Sequence, residues 1–450
     1  MSTTEKVDAA EPELTTDVAI VGGGPGGVLL AYLLARAGVR VDLLEAHRDF
    51  DRDFRGDSLH PYTLELLDRL GLADDLLKLE HFAATRFRMH TPAGTLVTAD
   101  YGRIHSKFNY IALMPQARFL DFLAGRAAAL PSFTLRTGAR VRRLLTDADQ
   151  EPVGRSGDGL PGTVTGVAWK DDAGEHRLRA RLVVAADGRF SRLRTLAGVP
   201  VTDLGAASDL LWFRLPRRPE DPPEADVDLY FGTHHYVGLL GGDDTWQIGY
   251  SLPKGGFAAA REAGVEPIRA FLREHVAWLG DRIDQLTDFG QTTLLSVELL
   301  RAERWHQPGL LLIGDAAHVI SPVGGNGILM AIQDAVAATN RLVPVLTGHG
   351  GAPVPEVVPE AVLAAIQADR EAAIVEVQDD QAKVERRAKE AREAGRPLIP
   401  GRLLKVVTAI PGVRARSARS NAYGPNPPVL ASGLLAGDGN EDAAKPLPVR

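Results

Sequence analysis

Hydrophobic and polar positions at the start of the chain follow first a strand-like and then a helix-like period. The pattern predicts a strand over 17–21, a helix over 28–37 and a second strand over 40–44, with a glycine cluster between the first two elements. We interpret this strand–helix–strand unit as the opening of the fold.

Strand and helix signals alternate through the rest of the chain. Further predicted elements are helices over 61–70 and 116–130, a strand pair over 83–101, strands up to residue 145, a strand over 182–185, a helix near Leu193, aromatic-rich β segments over 210–252, strands over 292–299 and 310–313, and helices over 328–343 and 359–394. Residues 146–162, rich in Asp, Gly and Pro, are expected to form an exposed hairpin loop. Repeated prolines from Gly424 onward predict a mobile tail.

The apolar strands at 182–185 and 310–313 return the chain to its opening unit, so two domains are expected to interleave. The expected divisions are a Rossmann-like nucleotide-binding domain over 15–85, 102–200 and 300–350, a β-sheet domain over 86–101 and 201–299, a helical region over 351–423 and a tail over 424–450. The fold class is therefore predicted to be α/β with additional C-terminal helices.

Composition removes several classes of function. The 450 residues are 45% hydrophobic and 24% charged, with a net charge of −7 and no long basic block, so nucleic acid is not an expected partner. The absence of cysteine excludes thiolate catalysis, iron–sulfur clusters and cysteine-ligated zinc, and redox chemistry would need a cofactor. No signal peptide or membrane span is predicted, and a cytoplasmic location is expected.

A glycine-rich turn lies between the first strand and the first helix. Gly22 permits the tight turn, Gly24 lets the backbone approach a pyrophosphate, and Gly27 allows the helix to pack closely on the strand. The helix N-terminus, which includes Pro25, faces the anion with unpaired N–H groups. Glu45, at the end of the second strand, is placed to accept hydrogen bonds from ribose hydroxyls. This unit predicts a dinucleotide but does not separate FAD from NAD.

Two later segments resemble binding motifs. Gly314 ends an apolar strand and leaves room for a ligand, while the Asp315 carboxylate can accept bonds from ribityl or ribose hydroxyls; a helix N-cap is the alternative role for Asp315. Asp187 and Gly188 follow the strand over 182–185, and a turn stabilised by its own side chain is the alternative for Asp187. The helix that begins near Ile328 would direct its positive end towards a bound anion.

Together these motifs resemble the flavoprotein aromatic hydroxylases of the para-hydroxybenzoate hydroxylase class, over roughly residues 15 to 345. The resemblance comprises the glycine turn, the segment 186–194 around the Asp-Gly pair and the segment 314–318 followed by further glycines. It implies FAD as the cofactor and NAD(P)H as a transient co-substrate. The remaining FAD-binding candidates are Arg55, Gln116, Pro322, Gly325, Gly327 and Ile328. The chain departs from the family at Leu329, where an Asn is common.

The resemblance also implies a reaction. The family uses NAD(P)H and dioxygen to hydroxylate or epoxidise an aromatic or polyketide-like small molecule through a flavin C4a-hydroperoxide, and this needs few protein side chains. No catalytic residue and no metal ligand is therefore predicted. The candidates for lining the substrate site, on the β-sheet domain, are Trp212, Phe231, His235, Tyr236 and Trp246.

Three other functions remain open from the sequence. An FAD-dependent reductase or dehydrogenase without oxygen insertion would use the same motifs, and a flavin-binding protein without turnover is a non-enzymatic alternative. A flavin-dependent halogenase shares the nucleotide-binding fold, but its usual Trp-x-Trp-x-Ile-Pro segment is absent. The sequence gives no indication of the oligomeric state or of a specific substrate.

Overall fold

The structure, a computed structural model, describes residues 14–51, 57–148, 162–242, 244–322, 324–399 and 401–435. The strands are β1 Leu14–Val21, β2 Val41–Leu44, β3 Ser58–Leu59, β4 Phe82–Ala84, β5 Arg86–Thr91, β6 Gly94–Asp100, β7 Ile111–Leu113, β8 Phe133–Arg136, β9 Arg140–Thr146, β10 Val164–Lys170, β11 Glu175–Ala185, β12 Val201–Asp203, β13 Ser208–Pro216, β14 Val227–Phe231, β15 Tyr236–Gly241, β16 Thr245–Pro253, β17 Thr293–Leu295, β18 Leu300–Ala302, β19 His306–Gln307, β20 Leu310–Leu312 and β21 His318–Val319. The helices are α1 Pro25–Arg36, α2 Pro61–Arg69, α3 Ala73–Leu76, α4 Gln116–Ala128, α5 Arg192–Leu196, α6 Phe257–Ala263, α7 Glu266–His275, α8 Gly327–Leu346, α9 Glu360–Glu393, α10 Gly401–Ala409 and α11 Val413–Tyr423.

The first sheet is built from strands that lie far apart in the sequence. Its order is β19-β20-β11-β1-β2-β8, and the β9–β10 hairpin extends it through the pairing of β10 with β11. The central strands β20, β11, β1, β2 and β8 are parallel. The Val18 to Ile20 run is fully buried because helices cover the faces of parallel sheets, and α1 and α8 pack together on this one. We call it the nucleotide sheet.

The second sheet has the order β17-β13-β16-β15-β14-β5-β6. Its neighbouring strands are antiparallel except β14 and β5. On β13 the side chains alternate, so Leu211 and Phe213 pack in the core formed with α7, while Leu210 and Trp212 face the opposite way. We call it the substrate sheet, and its face with Trp212 is the inner face.

The predicted α/β class is confirmed, with two large sheets, two small sheets of the orders β12-β18-β21 and β3-β7-β4, and additional C-terminal helices. The prediction of a strand over 292–299 differs in detail, because only β17 forms there and β18 begins at Leu300. The loop predicted over 146–162 lies largely outside the described residues. Among the described residues, no helix has the length and apolar character needed to cross a bilayer.

The prediction of a mobile tail from Gly424 is wrong for residues 424–435. Leu430 and Leu435 are buried in the main core, and the Tyr62 hydroxyl donates to the Pro428 carbonyl at 2.7 Å. The Asn340 side chain also bonds this segment, at the backbone of residues 429 and 431. The prolines therefore shape a packed extended segment, since side chains from other elements satisfy its backbone. Residues 436–450 lie outside the described part of the chain.

A buried ion pair joins the loop between β13 and β14 to the 3₁₀ segment Ala277–Gln285. The Arg282 guanidinium donates two hydrogen bonds to Asp221, at 2.8 and 2.6 Å, and the Trp246 indole N–H donates a third at 2.7 Å. Burial alone would raise the pKa of Asp221, but the bonds from Arg282 and Trp246 lower it to about 2.

Replacement of Arg282 by Leu should therefore destabilise the fold. The change leaves the Asp221 carboxylate buried without its cation, and we expect the free energy of unfolding to fall by about 3–5 kcal/mol in chemical denaturation. The matched control is Arg218→Leu, which removes an exposed pair with Asp281 and should leave the unfolding midpoint nearly unchanged. Equal midpoints for the two variants would contradict the assigned role.

Candidate active site

A cavity of about 790 Å³ lies between the glycine turns of the nucleotide sheet and the inner face of the substrate sheet. Its size is in the range of pockets that bind cofactors and drug-sized ligands. The predicted site residues that line it are Gly22, Gly24, Pro25, Gly27, Glu45, Gln116, Asp187, Trp212, Tyr236, Gly314, Asp315, Pro322, Gly325, Gly327 and Ile328. The cavity therefore brings residues from widely separated parts of the sequence, between Gly22 and Ile328, to one place.

The β1–α1 turn is sterically closed except towards the cavity. Gly22 has φ +108°, and a Cβ there would lie 2.3 Å from the Ala186 carbonyl oxygen. A Cβ on Gly27 would lie 2.1 Å from the Gly22 carbonyl oxygen, whereas a Cβ on Gly24 would meet no atom within 4 Å. The turn thus leaves open space beside Gly24 for a ligand, at the N-terminus of α1, which no side chain caps.

Backbone N–H groups of the β1–α1 turn and of the segment after β2 donate hydrogen bonds to Glu45. Its buried carboxylate accepts hydrogen bonds from the Gly23 N–H at 2.7 Å and from the His47 N–H and Nδ1, both at 2.9 Å. The side chain therefore fixes the turn, in addition to lining the cavity. The contact of Glu45 with ribose hydroxyls stays a prediction.

Asp187 stabilises the start of α5. Its carboxylate accepts bonds from the Ser191 hydroxyl at 2.5 Å and from the Arg192 and Leu193 N–H groups at 2.7 and 3.1 Å. Burial raises the pKa of Asp187, and these bonds offset part of the increase. This geometry is the alternative considered from the sequence, a turn held by its own aspartate, although the residue also borders the cavity.

A buried aspartate, Asp334, accepts a hydrogen bond from the backbone of the Gly314–Asp315 turn. The Gly314 N–H donates to Asp334 at 2.9 Å, and the same carboxylate contacts His318 Nε2 at 2.6 Å and Arg370 Nε at 2.9 Å. Gly314 has φ +57°, a conformation that favours glycine. The turn thereby places Asp315 at the cavity wall.

The long helix α8 directs its N-terminus at the cavity. Gly327 and Ile328 line the cavity at its first turn, and no side chain caps this end. Uncapped N–H groups and the helix dipole together favour negative charge on a ligand. Leu329, the departure from the family pattern, is buried in the core and does not line the cavity.

The five candidate substrate-lining residues divide according to strand alternation. Trp212 and Tyr236 line the cavity. On β16, Gln247 and Gly249 point to the inner face, so Trp246 points to the outer face. There the Trp246 side chain is fully buried. His235 precedes β15 and bonds the Ser251 carbonyl through Nδ1.

Phe231 is covered by the C-terminal helical region. It lies at the end of β14 and packs against Ala391 and Leu398 rather than against the cavity. The structure thus places Phe231, His235 and Trp246 outside the cavity that Trp212 and Tyr236 border.

The sequence analysis did not identify two polar residues of the cavity wall. Asp57 accepts a hydrogen bond from the Gln247 side-chain amide and another from the Gln116 N–H at 3.2 Å. Asp57 lies two residues after Arg55, a predicted FAD-binding residue that falls outside the described residues. Trp212 on β13 pairs with Gly249 on β16, so both point to the inner face. Strand alternation then places Gln247, two residues before Gly249, on the same face.

The residues of the cavity fit FAD. Open space beside Gly24, two uncapped helix N-termini and the Asp315 carboxylate provide, respectively, room for a backbone approach, donors for phosphate or a reduced ring, and an acceptor for sugar hydroxyls.

Comparison with known proteins gives the same family. The model of the FAD binding domain family matches residues 15–354. The chain is 37% identical to 6-methylpretetramide 4-monooxygenase of Streptomyces rimosus, over 72% of this chain and 74% of that protein. It is 30% identical to rifampicin monooxygenase of Streptomyces venezuelae, over 81% of this chain and 70% of that protein.

A solved structure shares the fold. p-Nitrophenol 4-monooxygenase PnpA from Pseudomonas putida superposes with a TM-score of 0.66 at 22% identity, covering 91% of this chain and 95% of that chain. Family model, relatives and fold agree with the three sequence motifs. The chain therefore belongs to the FAD binding domain family and is an FAD-dependent monooxygenase.

Proposed function

We propose that this monooxygenase uses NAD(P)H and dioxygen to hydroxylate a fused-ring aromatic compound of the polyketide type. The observation that carries this proposal is the broad, largely apolar inner face of the substrate sheet opposite the cofactor-binding turns. The inner-face residues that line the cavity are Phe87, Leu210, Trp212, Val227, Leu229, Tyr236, Gly238, Leu240, Gln247, Gly249 and Leu295.

The shape of this face suits a flat ligand. Gly238 and Gly249 are cross-strand neighbours on β15 and β16 and have no side chains of their own, and the Leu229 side chain lies over Gly238, where an added Cβ would meet it at 3.1 Å. The Trp212 ring lies over Gly249, where an added Cβ would meet it at 3.2 Å. The two glycines thus let apolar side chains lie close to the backbone, and a planar ring system can stack on the apolar surface that these side chains form. The relatives named for 6-methylpretetramide and for rifampicin support a substrate of the proposed class.

At the cofactor end of the cavity, different residues are assigned to different parts of FAD. We assign the pyrophosphate to the N-terminus of α1, sugar hydroxyls to Glu45 and Asp315, and the ring system to the N-terminus of α8. When bound, FAD accepts a hydride from NAD(P)H and activates dioxygen. The helix terminus would stabilise negative charge on the reduced ring by about 0.3–1 kcal/mol. The apolar sheet would hold the substrate and limit access of water.

The function is tested by coupled turnover. The purified, FAD-loaded protein should oxidise NAD(P)H slowly alone and faster with an aromatic polyketide from a substrate panel, and mass spectrometry should find one oxygen atom gained. With isotopically heavy dioxygen that atom should carry the label. Substrate-dependent turnover that persists without dioxygen and adds no oxygen would indicate the reductase alternative.

Replacement of Asp315 by Ala should weaken FAD binding without unfolding the protein. The side chain borders the cavity, and its loss removes an acceptor for cofactor hydroxyls. We expect roughly ten-fold weaker binding, which corresponds to about 1.4 kcal/mol, measured by flavin fluorescence during titration of the apoprotein. Asp203→Ala, on the exposed strand β12, is the control and should bind FAD normally. Unchanged affinity in the Asp315 variant would refute the assignment.

A further inference from the structure

The helices α10 and α11 cover one edge of the substrate sheet. Both pack against β6, the terminal strand in the order of that sheet. An added Cβ on Gly401 would lie 2.5 Å from the Thr91 Oγ1, so the start of α10 lies close to the β5–β6 turn. On α11, Ala418 and Ala422 are fully buried in a hydrophobic cluster with Tyr101. The two helices are therefore packed onto the sheet.

The outward side of α10 is apolar. A helix on the surface of a globular protein normally buries its apolar face. In α10 the Thr408 side chain is buried, whereas Val406 is 66% exposed and Val407 is 38% exposed. Ile410, directly after the helix, is 53% exposed. Three of the nine large hydrophobic side chains that are exposed in the described part of the chain therefore lie in this short stretch.

The same region is cationic. Residues 394–437 include six Lys or Arg residues and no Asp or Glu, in a chain whose net charge is −7. Lys405 and Arg416 are exposed and form no ion pair with another described residue, whereas Arg218 and Arg341 elsewhere on the surface are paired with aspartates. We define the α10–α11 surface by its exposed apolar and cationic residues, namely Lys405, Val406, Val407, Ile410 and Arg416.

This combination of aliphatic and cationic side chains indicates the partner. A bilayer with anionic lipid offers acyl chains to Val406 and Ile410 and phosphates to Lys405 and Arg416. Long basic side chains can extend from an apolar face to the headgroups. A second copy of this chain fits less well, because a twofold axis would place the same unpaired cations near each other. Single-stranded nucleic acid is bound largely by aromatic stacking, and the α10–α11 surface has no aromatic residue.

We propose that the α10–α11 surface docks this monooxygenase reversibly on a membrane that contains anionic lipid. Val406, Val407 and Ile410 insert at the boundary between headgroups and acyl chains, and Lys405 and Arg416 bind the lipid phosphates. The contact is peripheral and depends on both kinds of side chain.

Docking at this surface also orients the cavity. Ala418 and Ala422 of α11 share their hydrophobic cluster with Ile111 and Val227, which line the cavity. One cavity wall is therefore held near the bilayer, into which apolar fused-ring compounds partition. This consequence rests on the proposed function, whereas the docking itself does not.

Vesicle flotation tests the docking with the full-length, FAD-loaded protein. The vesicles consist either of phosphatidylcholine alone or of equal parts of phosphatidylcholine and phosphatidylglycerol. We expect the protein to float with the mixed vesicles, to stay largely unbound with the neutral ones, and to be released as salt screens the cations. Failure to float with the mixed vesicles at low salt would overturn the proposal.

Two double variants separate the cationic from the apolar contribution. Lys405→Gln with Arg416→Gln should weaken binding to the mixed vesicles about thirty-fold, the loss expected for two basic residues at an anionic surface. Val406→Ser with Ile410→Ser should weaken it by at least roughly ten-fold, because less apolar surface leaves water. Wild-type binding by the serine variant would leave a purely electrostatic site, as an acidic protein would use, and would refute the proposal.

Matched controls change the same residue types elsewhere on the surface. Arg126→Gln with Arg218→Gln removes two exposed cations, and Val201→Ser with Val354→Ser removes two exposed valines. Both controls should float as the wild type does, and all four double variants should retain bound FAD. Equal losses of binding in a control and in its matched variant would contradict the assignment to the α10–α11 surface.

The absence of cysteine allows insertion to be measured at a single position. Ile410→Cys, labelled with nitrobenzoxadiazole, should emit more strongly and at shorter wavelength on the mixed vesicles, and lipids with a nitroxide on the acyl chain should quench it. The same label on Val201→Cys, on β12, should show neither effect. No quenching at position 410, or equal responses at the two positions, would refute insertion.

Sedimentation in solution tests the second copy. A wild-type dimer that dissociates in the Val406→Ser, Ile410→Ser variant would assign the surface to self-association and overturn the proposal, whereas an unchanged oligomeric state supports it. These measurements need no turnover. Vesicle binding by a protein that inserts no oxygen into any substrate would therefore refute the proposed function and leave the docking intact.

Discussion

The geometry of the cofactor end depends on one buried carboxylate. Asp334 is fully buried in α8 and binds the Gly314 N–H and His318, in the segment 314–318, and Arg370 of α9. Burial would raise its pKa, but the charges and bonds of His318 and Arg370 keep the pKa below its usual value. An unpaired carboxylate at this depth would be strongly destabilising, so α8, α9 and the Gly314 turn must assemble together.

The helix α9 extends this coupling to the substrate sheet. Its Glu385 accepts a bond from the Ala207 N–H, next to β13, and another from the hydroxyl of Ser321 on the cavity wall. Further along the same helix, Arg392 donates to the Ala207 and His234 carbonyls. One helix therefore bonds both the cavity wall at Ser321 and the loops beside the substrate sheet, although the sequence shows only a long charged segment there.

Turns that require glycine could be predicted from the sequence, whereas the partner of each side chain and of each strand could not. The glycine turn at Gly22 was readable because few other residues fit such a turn. Glu45 was identified, but its bonds to the turn depend on how β2 ends beside β1. Trp212 and Trp246 both lie on strands, and only the pairing of those strands decides which ring faces the cavity. In the sequence Asp334 cannot be distinguished from other aspartates in helices, because its ion pair with Arg370 depends on the packing of α9 against α8.

The order of the strands in the nucleotide sheet also determines when the protein can fold. β1 pairs with β11, and β11 pairs with β20, so neighbours in space are separated by long stretches of chain. On the ribosome β1 can pair early with β2, but its other edge must wait for β11 to emerge, and Arg370, the cation in α9 that binds Asp334, is synthesised later still. Most of the chain is therefore synthesised before its central sheet can close, and the early strands remain exposed to chaperones or to aggregation during that interval.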